Sequence, residues 1–189
     1  MTKKICVFCG ANSGYNKIYV EHTKLFAKEI VRNNLTLVYG GGKVGIMGTI
    51  ANEVMACGGT VIGIIPELLN NLNLGNKKIT EMKVVSDMHA RKKMMYETAD
   101  YFVALPGGIG TFEELTEIIT WKQISIHNKP IALLNINNFY DGYMKFLQKA
   151  VDEGFMKQSH ISNIIVEKDY DKIIDRLKSA KDVQESKFV

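Results

Sequence analysis

The fold class follows from one stretch, Leu35-Thr36-Leu37-Val38-Tyr39-Gly40-Gly41-Gly42-Lys43-Val44-Gly45, in which a short apolar run ends at a glycine-rich turn. The run is nearly continuously apolar, as is Thr60–Ile65 further along the chain. Such runs are typical of strands in a parallel sheet, because helices cover both of its faces. The stretch therefore predicts a strand, a tight turn and a helix that starts near Gly45.

Short apolar runs alternate with amphipathic segments along the whole chain. The runs are Lys4–Cys9, Leu35–Tyr39, Thr60–Ile65, Met82–Val85, Tyr101–Leu105, Pro130–Asn135 and Asn163–Val166. The amphipathic segments are Tyr19–Asn33, Gly45–Cys57, Met88–Thr98, Thr111–Ser125, Tyr140–Glu153 and Tyr170–Ala180. This alternation predicts a single doubly wound α/β domain over 1–181, with a mostly parallel sheet of about seven strands flanked by helices. We expect 66–80 to be a long irregular connection and 182–189 to be a frayed tail.

The composition is that of an ordinary globular protein. Apolar residues make up 46% of the 189 residues and charged residues 23%, so the chain can bury one substantial core. The formal charge of +4 is small, and lysines alternate with acidic residues instead of forming a block. An anionic small ligand suffices to explain this charge, and we expect no nucleic-acid partner.

No stretch of the chain has the apolar length of a membrane span, and Ile5–Phe8 is too short for the apolar region of a secretory signal. Three cysteines suit a reducing compartment better than a disulfide framework. Cys6 and Cys9 have C-x-x-C spacing, but on a strand positions three apart face opposite sides. We therefore expect a cytoplasmic protein with no membrane partner, in which these two cysteines are buried thiols and form neither a metal site nor a redox pair.

Three glycine-bearing turns each follow a predicted strand. They are Cys9-Gly10-Ala11-Asn12-Ser13-Gly14, Gly40-Gly41-Gly42-Lys43-Val44-Gly45 and Pro106-Gly107-Gly108-Ile109-Gly110-Thr111. In a doubly wound sheet the carboxyl ends of the strands share one rim, and ligands bind outside it. Glycine lets the backbone approach a ligand, and a helix start offers unpaired N–H groups, so each turn is a candidate phosphate site. For the first turn, a tight strand-to-helix connection explains the glycines equally well.

The second and third turns each allow another interpretation. Gly40–Gly45 satisfies G-x-G-x-x-G, and Glu67 follows the next strand, as in a dinucleotide-binding domain. That fingerprint belongs to the first strand of such a domain, however, and here it follows the second. In the third turn, Thr111 and Glu114 fit a helix capping box as well as a catalytic arrangement.

Candidate acid–base and phosphate-binding side chains flank the third turn. Glu113 and Glu114 lie about 100° apart on a helix, so only one of them is expected to face the rim, and periodicity does not choose between them. Arg91 lies near the start of the helix after the fourth strand, and its planar guanidinium suits phosphate or ribose oxygens. A solvated basic helix face explains Lys92 equally well. His89 could act as an acid or base, although a capping or core role is the expected one.

Two motifs together resemble the Lonely Guy family of phosphoribohydrolases. The stretch Pro106-Gly107-Gly108-Ile109-Gly110-Thr111-Phe112-Glu113-Glu114 matches the PGGxGTxxE signature of that family, and Met88-His89-Ala90-Arg91-Lys92 is similar to its companion arginine–lysine motif. The resemblance also takes in Cys9–Gly14, Gly40–Gly48, Gly63–Pro66, Ile119–Trp121 and Asn135–Tyr140. It therefore covers nearly the whole chain.

The resemblance implies a Rossmann-like homodimer, with its site near the subunit interface, that hydrolyses cytokinin riboside 5′-monophosphates and often AMP to free base and ribose 5-phosphate. The chemistry of this hydrolysis requires no metal and no organic cofactor. By motif, Arg91 and Glu114 are the catalytic pair. The expected substrate- and phosphate-binding residues are Ser13, Gly41, Gly42, Glu67, Met88, Lys92, Pro106, Gly107, Gly108, Ile109, Gly110 and Thr111. Plant members carry a pocket glutamate near the position of Asn73, which leaves the base preference of this chain open.

Two other functions fit the same turns. One is a non-catalytic nucleotide binder similar to molybdenum-cofactor carriers, and the other is an NAD-dependent oxidoreductase that uses Gly40–Gly45. Members of the resembled family have also been labelled lysine decarboxylases, but the sequence identifies no Schiff-base lysine with a pyridinium partner. A hydrolase suits the residues best, because a carboxylate can stabilise the positive charge that develops on ribose as a base departs.

Overall fold

The structure is a computed structural model that describes residues 2–180, and within this range seven strands alternate with eight α-helices. The strands are β1 (Lys4–Phe8), β2 (Thr36–Tyr39), β3 (Val61–Pro66), β4 (Glu81–Val85), β5 (Tyr101–Ala104), β6 (Ile131–Leu134) and β7 (Ile164–Glu167). The helices are α1 (Ile18–Arg32), α2 (Gly45–Ala56), α3 (Glu67–Asn71), α4 (Met88–Thr98), α5 (Ile109–Gln123), α6 (Asp141–Asp152), α7 (Gln158–Ser162) and α8 (Ile173–Ser179). The predicted tail 182–189 lies outside the described residues.

The strands form one sheet in the order β4-β3-β2-β1-β5-β6-β7, and every neighbouring pair is parallel. The chain builds the sheet outward from β1 to β4 and then crosses to β5 on the other side of β1. This reversal places a topological switch point between β1 and β5, where two turns diverge at the carboxyl ends of the strands. The predicted doubly wound α/β class is confirmed.

Helices bury both faces of the sheet. One core cluster packs α1, α2 and α8 against one face, and it includes Phe26, Ile30 and Cys9. The other cluster packs α4 to α7 against the opposite face, and it includes Met95 and Cys6. The two cysteines therefore face opposite sides, as predicted, and burial raises the pKa of both thiols. Within residues 2–180, no helix combines the length and apolar character needed to cross a membrane.

The connection between β3 and β4 is more ordered than the sequence predicts. It contains the short helix α3, which begins with Glu67, an acidic residue whose charge is favourable in a first turn. The rest of the connection is tied to the turn after β2, because the N–H of Lys43 donates to the carbonyl of Leu74 at 3.0 Å and that of Asn76 donates to the carbonyl of Gly41 at 2.9 Å. The expectation of an irregular loop over 66–80 is therefore wrong in its first half.

Candidate active site

A cavity of about 410 Å³ opens at the carboxyl ends of β1 and β5. Its walls come from the turn after β1 (residues 9–14), the turn after β5 (residues 106–108), the first turns of α2, α4 and α5, and the side chains of Tyr19 and Phe139. The position is the switch point of the sheet, where doubly wound folds bind ligands. The volume lies in the range of about 300–1,000 Å³ that is typical of small-molecule sites.

The turn after β5 ends in a helix start that is open to the cavity. Helix α5 begins at Ile109, and its N-cap is Gly108. The N–H of Phe112 donates to the carbonyl of Gly108 at 3.1 Å. The N–H groups of residues 109–111 precede this first helical bond and have no partner within the helix. Together with the positive end of the helix dipole, they form a site that suits an anion.

Thr111 lies inside the first turn of α5 and does not cap it. No side chain caps the helix at Gly108, so of the two alternatives for Thr111 and Glu114 the capping box does not form. The Thr111 side chain is instead buried against the turn, where a Cβ at Gly107 would lie 2.1 Å from its Oγ1. Gly107 is therefore required for this hydroxyl to sit beneath the turn.

The three glycine turns pack directly against one another. The N–H of Gly10 donates to the carbonyl of Pro106 at 3.2 Å, and the N–H of Met47, in the first turn of α2, donates to the carbonyl of Gly10 at 3.1 Å. A Cβ at Gly45 would lie 2.3 Å from the backbone of Ala11. The glycines of the turn after β2 thus allow close packing against the turn after β1. The N–H of Met47, at the start of α2, already donates to Gly10 and is not available to a ligand. This arrangement counts against the dinucleotide-binding interpretation.

Arg91 and Glu114 form a buried ion pair at the base of the cavity. Nη2 of Arg91 lies 3.3 Å from Oε1 of Glu114, and the side chains are only 7% and 10% exposed. Nη1 of Arg91 donates to Sδ of Met88 at 3.8 Å, whereas its buried Nε has no hydrogen-bond partner among the described residues. Burial raises the pKa of Glu114 to about 7, although the neighbouring guanidinium opposes this rise.

Glu113 and Glu114 have different environments, and the sequence did not predict which of them is buried. Glu114 is buried beside Arg91, whereas Glu113 is exposed at the cavity edge and hydrogen-bonds to Lys92. Lys92 also pairs with Glu117 at 3.0 Å, so its ammonium links α4 to α5. Both adjacent carboxylates contribute to the cavity wall, contrary to the expectation that only one would reach it. The described part of the chain holds no group of three or more His, Cys, Asp or Glu side chains that could bind a metal ion.

Comparison with known proteins assigns the family. A family model described as "possible lysine decarboxylase" matches residues 47–177. A probable cytokinin riboside 5′-monophosphate phosphoribohydrolase of Oryza sativa subsp. japonica is 43% identical over 175 residues, which are 93% of this chain and 72% of that protein. A cytokinin riboside 5′-monophosphate phosphoribohydrolase of Arabidopsis thaliana is 49% identical over 157 residues, which are 83% of this chain and 74% of that protein. The chain belongs to the Lonely Guy family.

Solved structures share the fold of this Lonely Guy chain at much lower identity. The molybdenum cofactor carrier protein of Chlamydomonas reinhardtii aligns with a TM-score of 0.70 and 21% identity, over 95% of this chain and 98% of that one. DNA processing protein A of Helicobacter pylori aligns with a TM-score of 0.59 and 14% identity, over 93% of this chain and 80% of that one. These likenesses support the architecture alone.

The structure brings most of the predicted site residues of this Lonely Guy chain to the cavity. The lining includes Ser13, Met88, Arg91, Pro106, Gly107, Gly108, Gly110, Thr111 and Glu114. Five predicted residues are not part of it, namely Gly41, Gly42, Glu67, Lys92 and Ile109. Gly41 packs against β3, Gly42 packs against Met47, and Lys92 is held between two glutamates. The side chain of Ile109 is 83% exposed, so only its N–H group can serve the phosphate turn.

Two polar side chains that the sequence analysis considered, His89 and Asn73, are exposed. Asp87, and not His89, caps α4, because Oδ1 of Asp87 accepts a hydrogen bond from the N–H of Ala90 at 2.9 Å. His89 is exposed, so the expected capping or core role is wrong. Asn73, near the position of the pocket glutamate of plant Lonely Guy members, is also exposed and lies outside the cavity lining.

Sequence reasoning missed four side chains that line the cavity, namely Tyr19, Ile46, Met47 and Phe139. Tyr19 and Met47 lie in the first turns of α1 and α2, which start at the same rim as α5. Phe139 lies in Asn135–Tyr140, a segment that shares the resemblance to Lonely Guy proteins but carries no obvious chemistry. The shared rim was the available signal, because any first-turn side chain of these helices can reach a ligand there.

Proposed function

We propose that the protein is a phosphoribohydrolase that cleaves the N-glycosidic bond of cytokinin riboside 5′-monophosphates and of AMP, releasing the free base and ribose 5-phosphate. The observation that carries the proposal is the buried Arg91–Glu114 pair, which lies in the same cavity as the open start of α5. The names of the plant relatives support the same activity.

The start of α5 would hold the 5′-phosphate. Unpaired N–H groups at residues 109–111 and the helix dipole favour a dianion at this point. Glu114 lies one turn further along α5, so it would face the sugar and not the phosphate. Fixing the phosphate in this way positions the anomeric carbon against the carboxylate, which is how binding energy remote from the reacting bond contributes to rate.

Glu114 would act on the sugar and on water. As the bond between the anomeric carbon and the base nitrogen breaks, its electron pair leaves with the base and positive charge develops on the ribose. The ionised carboxylate stabilises this charge and accepts a proton from the water that attacks the anomeric carbon. The departing base takes up a proton, so one water is consumed for each base and ribose 5-phosphate released.

Arg91 would aim the carboxylate and contact the substrate. Its Nη2 holds Oε1 of Glu114 at 3.3 Å. Arg91 also lines the cavity, and we propose that its guanidinium donates to an oxygen of the bound ribose phosphate. A buried guanidinium without this partner carries a desolvation cost, and substrate binding would offset it.

The assay that tests this function is direct. Purified protein is incubated with AMP and with isopentenyladenosine 5′-monophosphate, and free base and ribose 5-phosphate are quantified. The proposal predicts equal amounts of the two products, and a large loss in Glu114→Gln. A carrier would instead bind the nucleotide without releasing base. An oxidoreductase would gain more thermal protection from NAD than from AMP.

We also propose that the active form is a homodimer, as the resemblance implies. Two apolar side chains near the cavity remain exposed, Ile109 at 83% and Met88 at 43%, and a second copy would cover them. Light scattering of the purified protein is expected to give twice the chain mass. A monomeric mass in a fully active sample would contradict this proposal without affecting the proposed chemistry.

A further inference from the structure

One buried tyrosine contacts the chain on both sides of the turn that would hold the phosphate (residues 106–111, the phosphate turn). The hydroxyl of Tyr140 donates to the carbonyl of Leu105, directly before this turn, at 2.7 Å. The ring of Tyr140 packs edge to face with that of Phe112, directly after the turn, with centroids 6.2 Å apart and planes 87° apart. Tyr140 therefore links the two ends of the phosphate turn.

The side chain of Asn135 holds Tyr140 in this position. The N–H of Tyr140 donates to Oδ1 of Asn135 at 2.7 Å, and Nδ2 of Asn135 donates to Oδ1 of Asp141 at 2.8 Å. The N–H of Asn135 itself donates to the carbonyl of Glu167, the last residue of β7, at 2.7 Å. Tyr140 is thus anchored to the sheet through its backbone and to the phosphate turn through its side chain.

Neither of these two residues contributes to the wall of the cavity. Asn135 is 2% exposed and Tyr140 is fully buried, so neither side chain can contact a ligand directly. Phe139, which lies between them in the chain, does line the cavity. An effect of Asn135 on a ligand can therefore pass through Phe139 or through the phosphate turn, whereas an effect of the Tyr140 hydroxyl passes through the turn, because its partner is Leu105.

The phosphate turn needs such anchors because its own residues restrain it little. Glycine has more backbone freedom than any other residue, and a Cβ at Gly108 or Gly110 would meet nothing within 4 Å. The N–H groups of residues 109–111 bind an anion well only when they converge on it, and donors that are already oriented cost no reorganisation when the ligand arrives. Fixed points at residues 105 and 112 limit the paths that the backbone between them can take.

We infer that Tyr140, held by Asn135, is a positioning residue that keeps the N–H groups of the phosphate turn oriented for the phosphate. The inference rests on the proposed function, because it concerns how the same site binds its substrate. It assigns part of the affinity for the phosphate to a hydroxyl that does not touch the ligand.

Two control variants separate this role from a general contribution to stability. The ring of Tyr143 also stacks on Phe112, but its hydroxyl meets Thr116 at an exposed position, so Tyr143→Phe removes a hydroxyl that does not reach Leu105. Leu147 is buried in the same core about two turns further along α6. Leu147→Ala should destabilise the fold at least as much as Tyr140→Phe, because it leaves a cavity in the core.

The experiment measures binding of ribose 5-phosphate by calorimetry to the wild type, Tyr140→Phe and both controls, under conditions in which denaturant unfolding shows each variant to be folded. A second variant, Asn135→Asp, keeps the acceptor for the N–H of Tyr140 but places a carboxylate against Asp141. Combining it with Asp141→Asn restores a donor and an acceptor at this contact. Base release from AMP is quantified in parallel for every variant.

Tyr140→Phe and Asn135→Asp are each expected to bind ribose 5-phosphate roughly tenfold more weakly, and the double variant is expected to recover most of this loss. Tyr143→Phe and Leu147→Ala should stay within about twofold of the wild type. Unchanged affinity in Tyr140→Phe, an equal loss in Leu147→Ala, or no recovery in the double variant would overturn the inference.

Failure of this inference is distinguishable from failure of the proposed function. A wild type that binds ribose 5-phosphate but releases no base would contradict the proposed function, while the binding comparison would still test Tyr140. A wild type that releases base while Tyr140→Phe keeps its full affinity would overturn the inference alone. A wild type that does not bind ribose 5-phosphate would contradict both.

Discussion

Gly40 provides the space that the guanidinium of Arg91 occupies, since a Cβ built at residue 40 would lie 1.8 Å from Nη2 of Arg91. Gly40 directly follows β2. Arg91 belongs to α4, a helix that packs on the sheet and contacts β2. A glycine that the sequence suggests as part of a phosphate-binding fingerprint thus serves a different purpose. It lets an arginine approach the backbone closely and reach Glu114.

Substitution of Gly40 is expected to displace the catalytic arginine. Gly40→Ala should lower kcat/KM for AMP by about 10² or more, because misplacing a positioning group by about 1 Å has effects of this size. In an Arg91→Ala background the same substitution should cost little further activity. Gly142→Ala is the matched control, since a Cβ there meets nothing within 4 Å. Independent, additive losses from Gly40→Ala and Arg91→Ala would contradict the proposed role.

The pKa of Glu114 predicts the pH dependence of activity. Burial raises this pKa to about 7, so the carboxylate is largely protonated below pH 7 and largely ionised above it. If the ionised form is required, kcat/KM should fall about tenfold per pH unit below 7 and level off above it. Glu114→Gln should lower kcat by about 10² or more and abolish this acidic limb. A wild-type profile that is flat between pH 5 and 8 would show that this carboxyl group does not control the rate.

Substitution of Lys92 distinguishes between two roles, a substrate-binding residue and an ion-pair link between α4 and α5. Its ammonium lies between Glu113 and Glu117, and the side chain is 11% exposed. Lys92→Met should lower the free energy of unfolding by about 1 kcal/mol at low salt and less at high salt, because two carboxylates one turn apart lose their shared cation. Urea unfolding at two salt concentrations measures this change. A large rise in KM for the monophosphate with unchanged stability would show that Lys92 contacts the substrate.

Tyr140 forms a hydrogen bond with the backbone just after β5. Its hydroxyl donates to the carbonyl of Leu105 at 2.7 Å, and the ring is fully buried. Tyr140→Phe should therefore lower the free energy of unfolding by about 1–3 kcal/mol, since a buried carbonyl loses its donor. Tyr143→Phe is the control, because the Tyr143 hydroxyl meets Thr116 at an exposed position and its loss should cost less. Equal effects of the two substitutions in denaturant unfolding would contradict this assignment.

The sequence predicted the architecture and the position of the site because both depend on local patterns. Apolar runs such as 35–39 identify buried parallel strands, and the turn 106–111 lies at a strand end next to a helix start. The short helices α3 and α7, of five residues each, were missed because one turn is too short to show a helical period.

Other features depend on contacts between distant residues, which a sequence pattern does not contain. Periodicity placed Glu113 and Glu114 on neighbouring faces of α5 but could not show which of them α4 covers. The role of Gly40 needed the position of Arg91, and the start of α5 at Ile109 needed the backbone path from Pro106. The first two features depend on a residue of another element, and the third depends on the detailed backbone geometry.

The most direct test of the central claim is a crystal structure of Glu114→Gln grown with AMP. The account predicts phosphate oxygens within hydrogen-bond distance of the N–H groups of residues 109–111, and the anomeric carbon beside the side chain of residue 114. A phosphate bound elsewhere, or a turn left empty while AMP occupies another part of the protein, would contradict it.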